Sequence, residues 1–151
     1  MKIYHGNDLR KGRASEPGRP YLVTTVTLNR RPLFRDWRMG RLLVDSLRST
    51  QVLHYADTLA WVVMPDHLHW LVTPVTESLD AIVRRVKSCS ARAINQSKGT
   101  TGSLWQKGYH DHALRKEEDI RATARYIITN PLRAGIVEHI GNYPLWDTIY
   151  L

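Results

Sequence analysis

Cysteine is almost absent: Cys89 stands alone among 151 residues. One thiol cannot close an intrachain disulfide, and a Cys-rich zinc finger is excluded with it. Cys89 falls inside a helical pattern, where a free thiol packs as a small hydrophobe. Acidic charge is scarce as well, with 14 Asp and Glu against 22 Lys and Arg and a formal net charge of +8. That excess favours a polyanionic partner, nucleic acid first and an acidic membrane surface second. No apolar run approaches the ~20 residues that cross a bilayer, and MKIYHGNDLRKGR has no apolar core of the signal-peptide kind. A cytoplasmic protein with no membrane partner is therefore expected. Phe occurs once, whereas Trp occurs 5 times and Tyr 7. Aromatics with polar handles suit a core, and they also suit base stacking.

Residues Met1 to Pro20 form a basic stretch punctuated by Gly and Pro, with Arg10, Lys11, Arg13 and Arg19. It reads as an arm, either a solvated tail or a segment that reaches along nucleic acid. Residues 21–151 read as one domain. Tyr21 to Asn29 alternates and is rich in β-branched residues, so it predicts a strand. Asp36 to Ser49 has helical spacing. Thr58–Met64 and His67–Thr73 are apolar stretches on either side of Pro65-Asp66 and predict two tightly joined strands. Ser78 suits the cap of a helix from Leu79 to about Gln96. Leu104 to Leu114 shows no clear period. Glu117, Glu118 and Asp119 place negative charge at the start of a helix that runs to about Thr129. Asn130 then suits an N-cap, with Pro131 opening a short helix that Gly135 closes. Ile140 to Leu151 is expected to fold back as a packed tail. The order is that of an α+β sandwich on one mostly antiparallel sheet.

Three groups of residues carry the types needed for chemistry. In a strand, His67 and His69 project from one face, and two imidazoles one strand period apart can chelate a divalent cation. They can equally be a satisfied surface pair. Tyr126 and Asn130 are spaced i, i+4, so a helix brings both to one face. Tyr126 also fits a core position, and Asn130 a plain cap. Between these groups lies Trp105-Gln106-Lys107-Gly108-Tyr109-His110-Asp111-His112. Trp105 suits an anchor, and His112 suits a phosphate contact, a base or a supporting position. A phosphodiester is anionic, so a nucleophile approaching it needs a metal or basic groups to neutralise its oxygens. His67, His69 and Asn130 around a hard cation such as magnesium or manganese, with Tyr126 one turn away, would assemble that arrangement.

The segments WVVMPDHLHWLV, LWQKGYHDHALR and ARYIITNPLRAGIV, in this order, resemble the REP-associated tyrosine transposases. These are bacterial relatives of the single-tyrosine HUH transposases, and the resemblance runs from about Gly18 to Trp146. It implies a ferredoxin-like fold, with a central antiparallel sheet, helices mainly on one face and a C-terminal helix carrying the tyrosine. It implies a DNA endonuclease and strand transferase in which Tyr126 attacks single-stranded DNA to give a 5′-phosphotyrosine link. His67, His69 and Asn130 match the ligands of a Mg2+ or Mn2+ ion, and Gln106 and His112 are candidates for support behind them. The implied partner is a hairpin-forming repetitive extragenic palindrome with a single-stranded foot, which places the protein at the nucleoid. Arg19, Arg30 and Arg31 are the leading DNA-contact candidates, followed by Arg84, Arg85 and Lys87. A monomer is expected, and a dimer stays open. Two alternatives remain: a hairpin-binding module without catalysis, and a nuclease in which water rather than Tyr126 attacks.

Overall fold

The computed structural model describes residues 15–150. The basic residues Arg10, Lys11 and Arg13 of the expected arm lie outside the described residues. The alternating segment after Pro20 forms β1 (Tyr21–Val26), and α1 (Trp37–Val52) follows. Asp36 caps that helix, its side chain accepting a hydrogen bond from the Arg38 amide, so the expected start lies one residue early. The strands β2 (Ala56–Met64) and β3 (His67–Pro74) meet at Pro65-Asp66 as expected. Ser78 caps α2 (Leu79–Lys98), and left-handed Gly99 ends it.

Two strands were not legible from the periodicity. β4 (His110–Ala113) arises inside the aperiodic stretch, and β5 (Trp146–Thr148) inside the tail. Both are short edge strands. Their pairing partners, β1 for β4 and β2 for β5, supply the order that a local pattern of a few residues cannot. β1 is also shorter than its alternation predicts. Asn29 and Arg30 take left-handed backbone conformations, φ 57° and 51°, which turn the chain off the sheet. The hydroxyl of Thr27 fixes this exit by donating to the carbonyls of Asp66 and Arg31. The charged start of α3 (Glu117–Ile128) is as expected, and a short α4 (Asn130–Arg133) follows. Here Asn130 departs from its expected cap role: Thr129 occupies the cap position, and Asn130 is already helical.

The strand order β4-β1-β3-β2-β5, antiparallel at every pairing, is a β-α-β-β-α-β ferredoxin-like core extended by β5. In it β1 and β2 are parallel with β3 between them, and β3 and β4 are parallel with β1 between them. Right-handed crossovers then place α1 and α2 on the same face, and the two helices do pack against each other. The register sets which side chains they cover. Leu68, Trp70 and Val72 of β3 point to one face and are completely buried or nearly so. His67, His69 and Leu71 point to the other, beside Val26, Thr24 and Leu22 of β1. The helix α3 packs over β2, β3 and β5 on this second face. The one-sided helical layer therefore describes α1 and α2, and α3 crosses to the opposite side. A register shift between Thr58 and Ala60 marks a bulge at Leu59, whose carbonyl accepts the Ile149 amide and holds the tail in place.

Tyr143 closes the C-terminal segment onto the sheet. It is buried, its hydroxyl donates to the Val63 carbonyl, and desolvation pushes its phenol up to about 12. Unfolded tyrosine ionises near ~10, so the folded state holds this proton more tightly. The resulting stability is whole below that value and is lost as pH rises toward 12. Tyr143→Phe is expected to lower the unfolding free energy by about 1 kcal/mol near neutrality, by orphaning a buried carbonyl. Its alkaline decline should be shallower than that of the unmodified chain. Urea titrations from neutral to strongly alkaline pH check this; parallel declines would contradict it.

Candidate active site

The His pair sits on the middle strand of the sheet, where backbone bonding on both sides holds its direction. The two rings lie edge to face with centroids 4.8 Å apart. Each is fixed by its Nδ1. His67 Nδ1 lies 2.7 Å from Asp66 Oδ1, and a carboxylate can only accept, so the proton is on Nδ1. His69 Nδ1 lies 2.8 Å from the hydroxyl of Thr24, its register partner on β1. In the neutral tautomer with Nδ1–H donating, each ring would present its Nε2 lone pair. This is the anchoring that metal-binding imidazoles use. Burial first, then the positive charges of His67 and Arg133, pushes the His69 pKa down to about 3. His69 is therefore neutral throughout the physiological range, and no proton competes for its free nitrogen. Asp66 in turn lies 3.4 Å from Arg30. Burial alone would raise its pKa, but the hydrogen bond and charge of His67 and the Arg30 guanidinium bring it below the usual value.

Tyr126 lies on α3 and is 40% exposed, so it is not a core residue. Its helix buries Ile120, Ala124 and Ile127 instead. The ring of Tyr126 opens onto a groove of about 600 Å³ between β4 and α3, which His112, Arg115, Lys116 and Thr123 also line. Arg133 packs on that ring. The Arg133 guanidinium stacks 3.8 Å from the centroid of the Tyr126 ring, and its charge is among those felt at His69. Asn130 is half-buried at the first residue of α4.

The other expected positions divide by what their side chains do. Arg30 reaches the site through Asp66. Arg31 and Arg84 are exposed. Arg19 is paired with Glu16 at 2.6 Å, and the Arg85 guanidinium lies 5.0 Å above the Tyr55 ring. Lys87 is turned inward: its ammonium donates to the carbonyls of Gln106 and Gly108 at 2.7 Å each, and burial lowers its pKa. It ties a loop to α2. Gln106 is exposed, with its backbone N–H on the Val26 carbonyl, and His112 lines the Tyr126 groove. Trp105 is the anchor expected of it, buried and donating to Ser90. Three contributors were missed. Thr24 faces His69 only through cross-strand register. Asp66, adjacent to His67, looked like a turn residue alone. Arg133 sits seven residues after Tyr126, across a helix break that hides their contact.

These features define an α+β ferredoxin-like domain with an anchored His pair and an accessible tyrosine on one sheet face. The chain belongs to the family described as Transposase IS200 like, which matches residues 19–130. It is 29% identical over 87 residues to a REP-associated tyrosine transposase of Escherichia coli K12, covering 56% of this chain and 50% of that protein. A Haemophilus influenzae protein described as a candidate transposase of the same kind is 28% identical over 104 residues, covering 60% of this chain and 58% of its own. The chain thus matches between 50% and 58% of the length of these curated relatives. Its fold is similar to that of a solved REP-associated tyrosine transposase bound to a REP hairpin. The TM-score is 0.69 and the identity 24%, over 97% of this chain and 82% of that one. No helix among the described residues is long and apolar enough to cross a membrane.

Proposed function

We propose that the chain cuts and rejoins single-stranded DNA at the foot of hairpin-forming palindromes, with Tyr126 as nucleophile. The observation that carries this is the anchored His pair: both rings are held through Nδ1 and share one face of the middle strand. On the same sheet side, the Arg133 guanidinium covers the ring of an exposed tyrosine. Family membership and the DNA-bound solved relative support the same substrate class.

A divalent ion, Mg2+ or Mn2+, fits this donor set. Among the described residues no three His, Cys, Asp or Glu side chains converge, so a further protein donor is best supplied by an amide, and Asn130 carries one. His67, His69 and Asn130 would hold the ion, which when bound supplies Lewis-acid neutralisation of the phosphate charge. The chain's own groups do the rest. Arg30, held on Asp66 beside His67, favours an anionic phosphate. The Tyr126 hydroxyl attacks phosphorus, a P–OTyr bond forms and the P–O3′ bond breaks. The phenol proton leaves, and the departing 3′ oxygen gains one. The phosphotyrosyl ester keeps the bond energy, so reversal by another 3′-hydroxyl needs no nucleotide triphosphate. Arg31 and Arg84 stand exposed for backbone phosphates, with Arg19 and Arg85 available if their present partners yield. The substrate would hold the protein at the nucleoid.

The test is covalent trapping. The protein, Mn2+ and an end-labelled hairpin oligonucleotide should give a denaturant-resistant adduct that disappears when the ion is chelated. Cleaved DNA without adduct would point to water as the attacking group. Tight binding with no cleavage would leave a binding module. The anchoring of His69 makes its own prediction: Thr24→Val keeps the shape but removes the hydroxyl that holds Nδ1. Mn2+ affinity, measured by calorimetry, should weaken by roughly 10–100-fold while the fold melts normally. Unchanged affinity would mean that Thr24 does not orient the ligand.

A further inference from the structure

We infer that Arg133 is the positioning residue for the nucleophile, holding the Tyr126 ring and the end of its helix in the orientation from which the phenol meets the phosphate. The inference rests on Tyr126 being the attacking group, as proposed above, and extends to a residue outside the stretch matched by the family.

Three side-chain contacts and one backbone bond converge on this residue. Its guanidinium lies over the Tyr126 ring, 3.8 Å from the centroid. Its NH2 group donates to the Tyr126 carbonyl. Its NH1 group donates to the Thr129 hydroxyl at 2.6 Å, and that hydroxyl donates in turn to the Arg125 and Tyr126 carbonyls. Its backbone amide returns to the Thr129 carbonyl. The Tyr126 carbonyl lies in the last turn of α3, and Arg133 and Thr129 both cap it. Capping alone would not need the stack. A planar guanidinium that bonds the backbone and covers the ring of the same residue fixes both the helix end and the ring's rotamer. An aromatic ring 40% exposed would otherwise sample several orientations.

The test uses Arg133→Met, which keeps an unbranched stem, together with Arg133→Lys and Thr129→Val. The first readout is the ring signal of 13C-labelled Tyr126 by NMR, which does not depend on DNA cleavage. In Arg133→Met and Arg133→Lys it should move toward the free-tyrosine position and sharpen. In Thr129→Val, which loses the hydroxyl but keeps the stack, it should stay near its original place. The second readout is adduct formation at saturating hairpin. Misplacement of a reacting group costs on the order of 100-fold in rate, and Arg133→Met should lose about that much, with hairpin affinity within several fold. Lysine should restore little of it, since it cannot stack and bridge two acceptors. An unmoved Tyr126 signal, or full-speed adduct formation by Arg133→Met, overturns the inference. So does equal loss in Thr129→Val, which would make Arg133 a helix cap only. If Tyr126 moves as expected but the unmodified chain forms no adduct, the positioning role stands and the proposed reaction falls.

Discussion

His69→Ala is expected to reduce DNA strand cleavage on the order of 100-fold or more, with hairpin affinity within several fold. The two quantities separate because different side chains control them. Affinity for a hairpin comes chiefly from cations on phosphates, and His69 carries no charge at working pH, its pKa lying near 3. Its removal therefore subtracts nothing from the electrostatic attraction. What it removes is the ring whose Nδ1 is tied to Thr24 and whose Nε2 faces the site. The structural cost is modest: the Thr24 hydroxyl loses its partner, worth about 1 kcal/mol, and a small cavity opens beside Leu71 and Val62. Melting in parallel with cleavage separates the two effects. Should binding and cleavage collapse together, the pair is scaffold.

Tyr126→Phe should abolish the covalent adduct entirely while leaving everything else in place. The substitution deletes one oxygen from an exposed ring. The ring remains under Arg133, the buried face of α3 keeps Ile120, Ala124 and Ile127, and the capping of α3 is made by the Tyr126 backbone rather than its hydroxyl. Melting temperature and hairpin affinity should accordingly be unchanged. No other group in the proposed mechanism can take the phosphoryl link, so the loss should be complete rather than partial. Continued cleavage by the phenylalanine variant, without adduct, would transfer the attack to water and require a different role for Tyr126.

The long elements and the His pair were legible because their signals are local. The apolar stretches of β2 and β3, the Ser78 cap and the apolar stripe of α2 each depend on residues within a turn or a strand of one another. β4 and β5 were not, because strands of four and three residues exist only by virtue of the partners they pair with. The site divides along the same line. HLH displays its two imidazoles from strand geometry alone. Thr24 becomes a partner of His69 only when β1 and β3 align 45 positions apart. Lys87, on the polar face of a helix, looks like a free cation until the Gln106 and Gly108 carbonyls are seen beneath it. Arg133 was hidden for a different reason: helical spacing predicts contacts within one helix, and the break at Thr129 bends α4 back so that residues 126 and 133 stack.

The most direct measurement is the identity of the residue that carries the DNA. The trapped adduct, digested with nuclease and trypsin, should yield one modified peptide, running from Tyr126 to Arg133 and bearing a 5′-phosphonucleotide on the phenol. A phosphonucleotide on any other residue, or cleaved DNA with an unmodified Tyr126 peptide, would contradict the account.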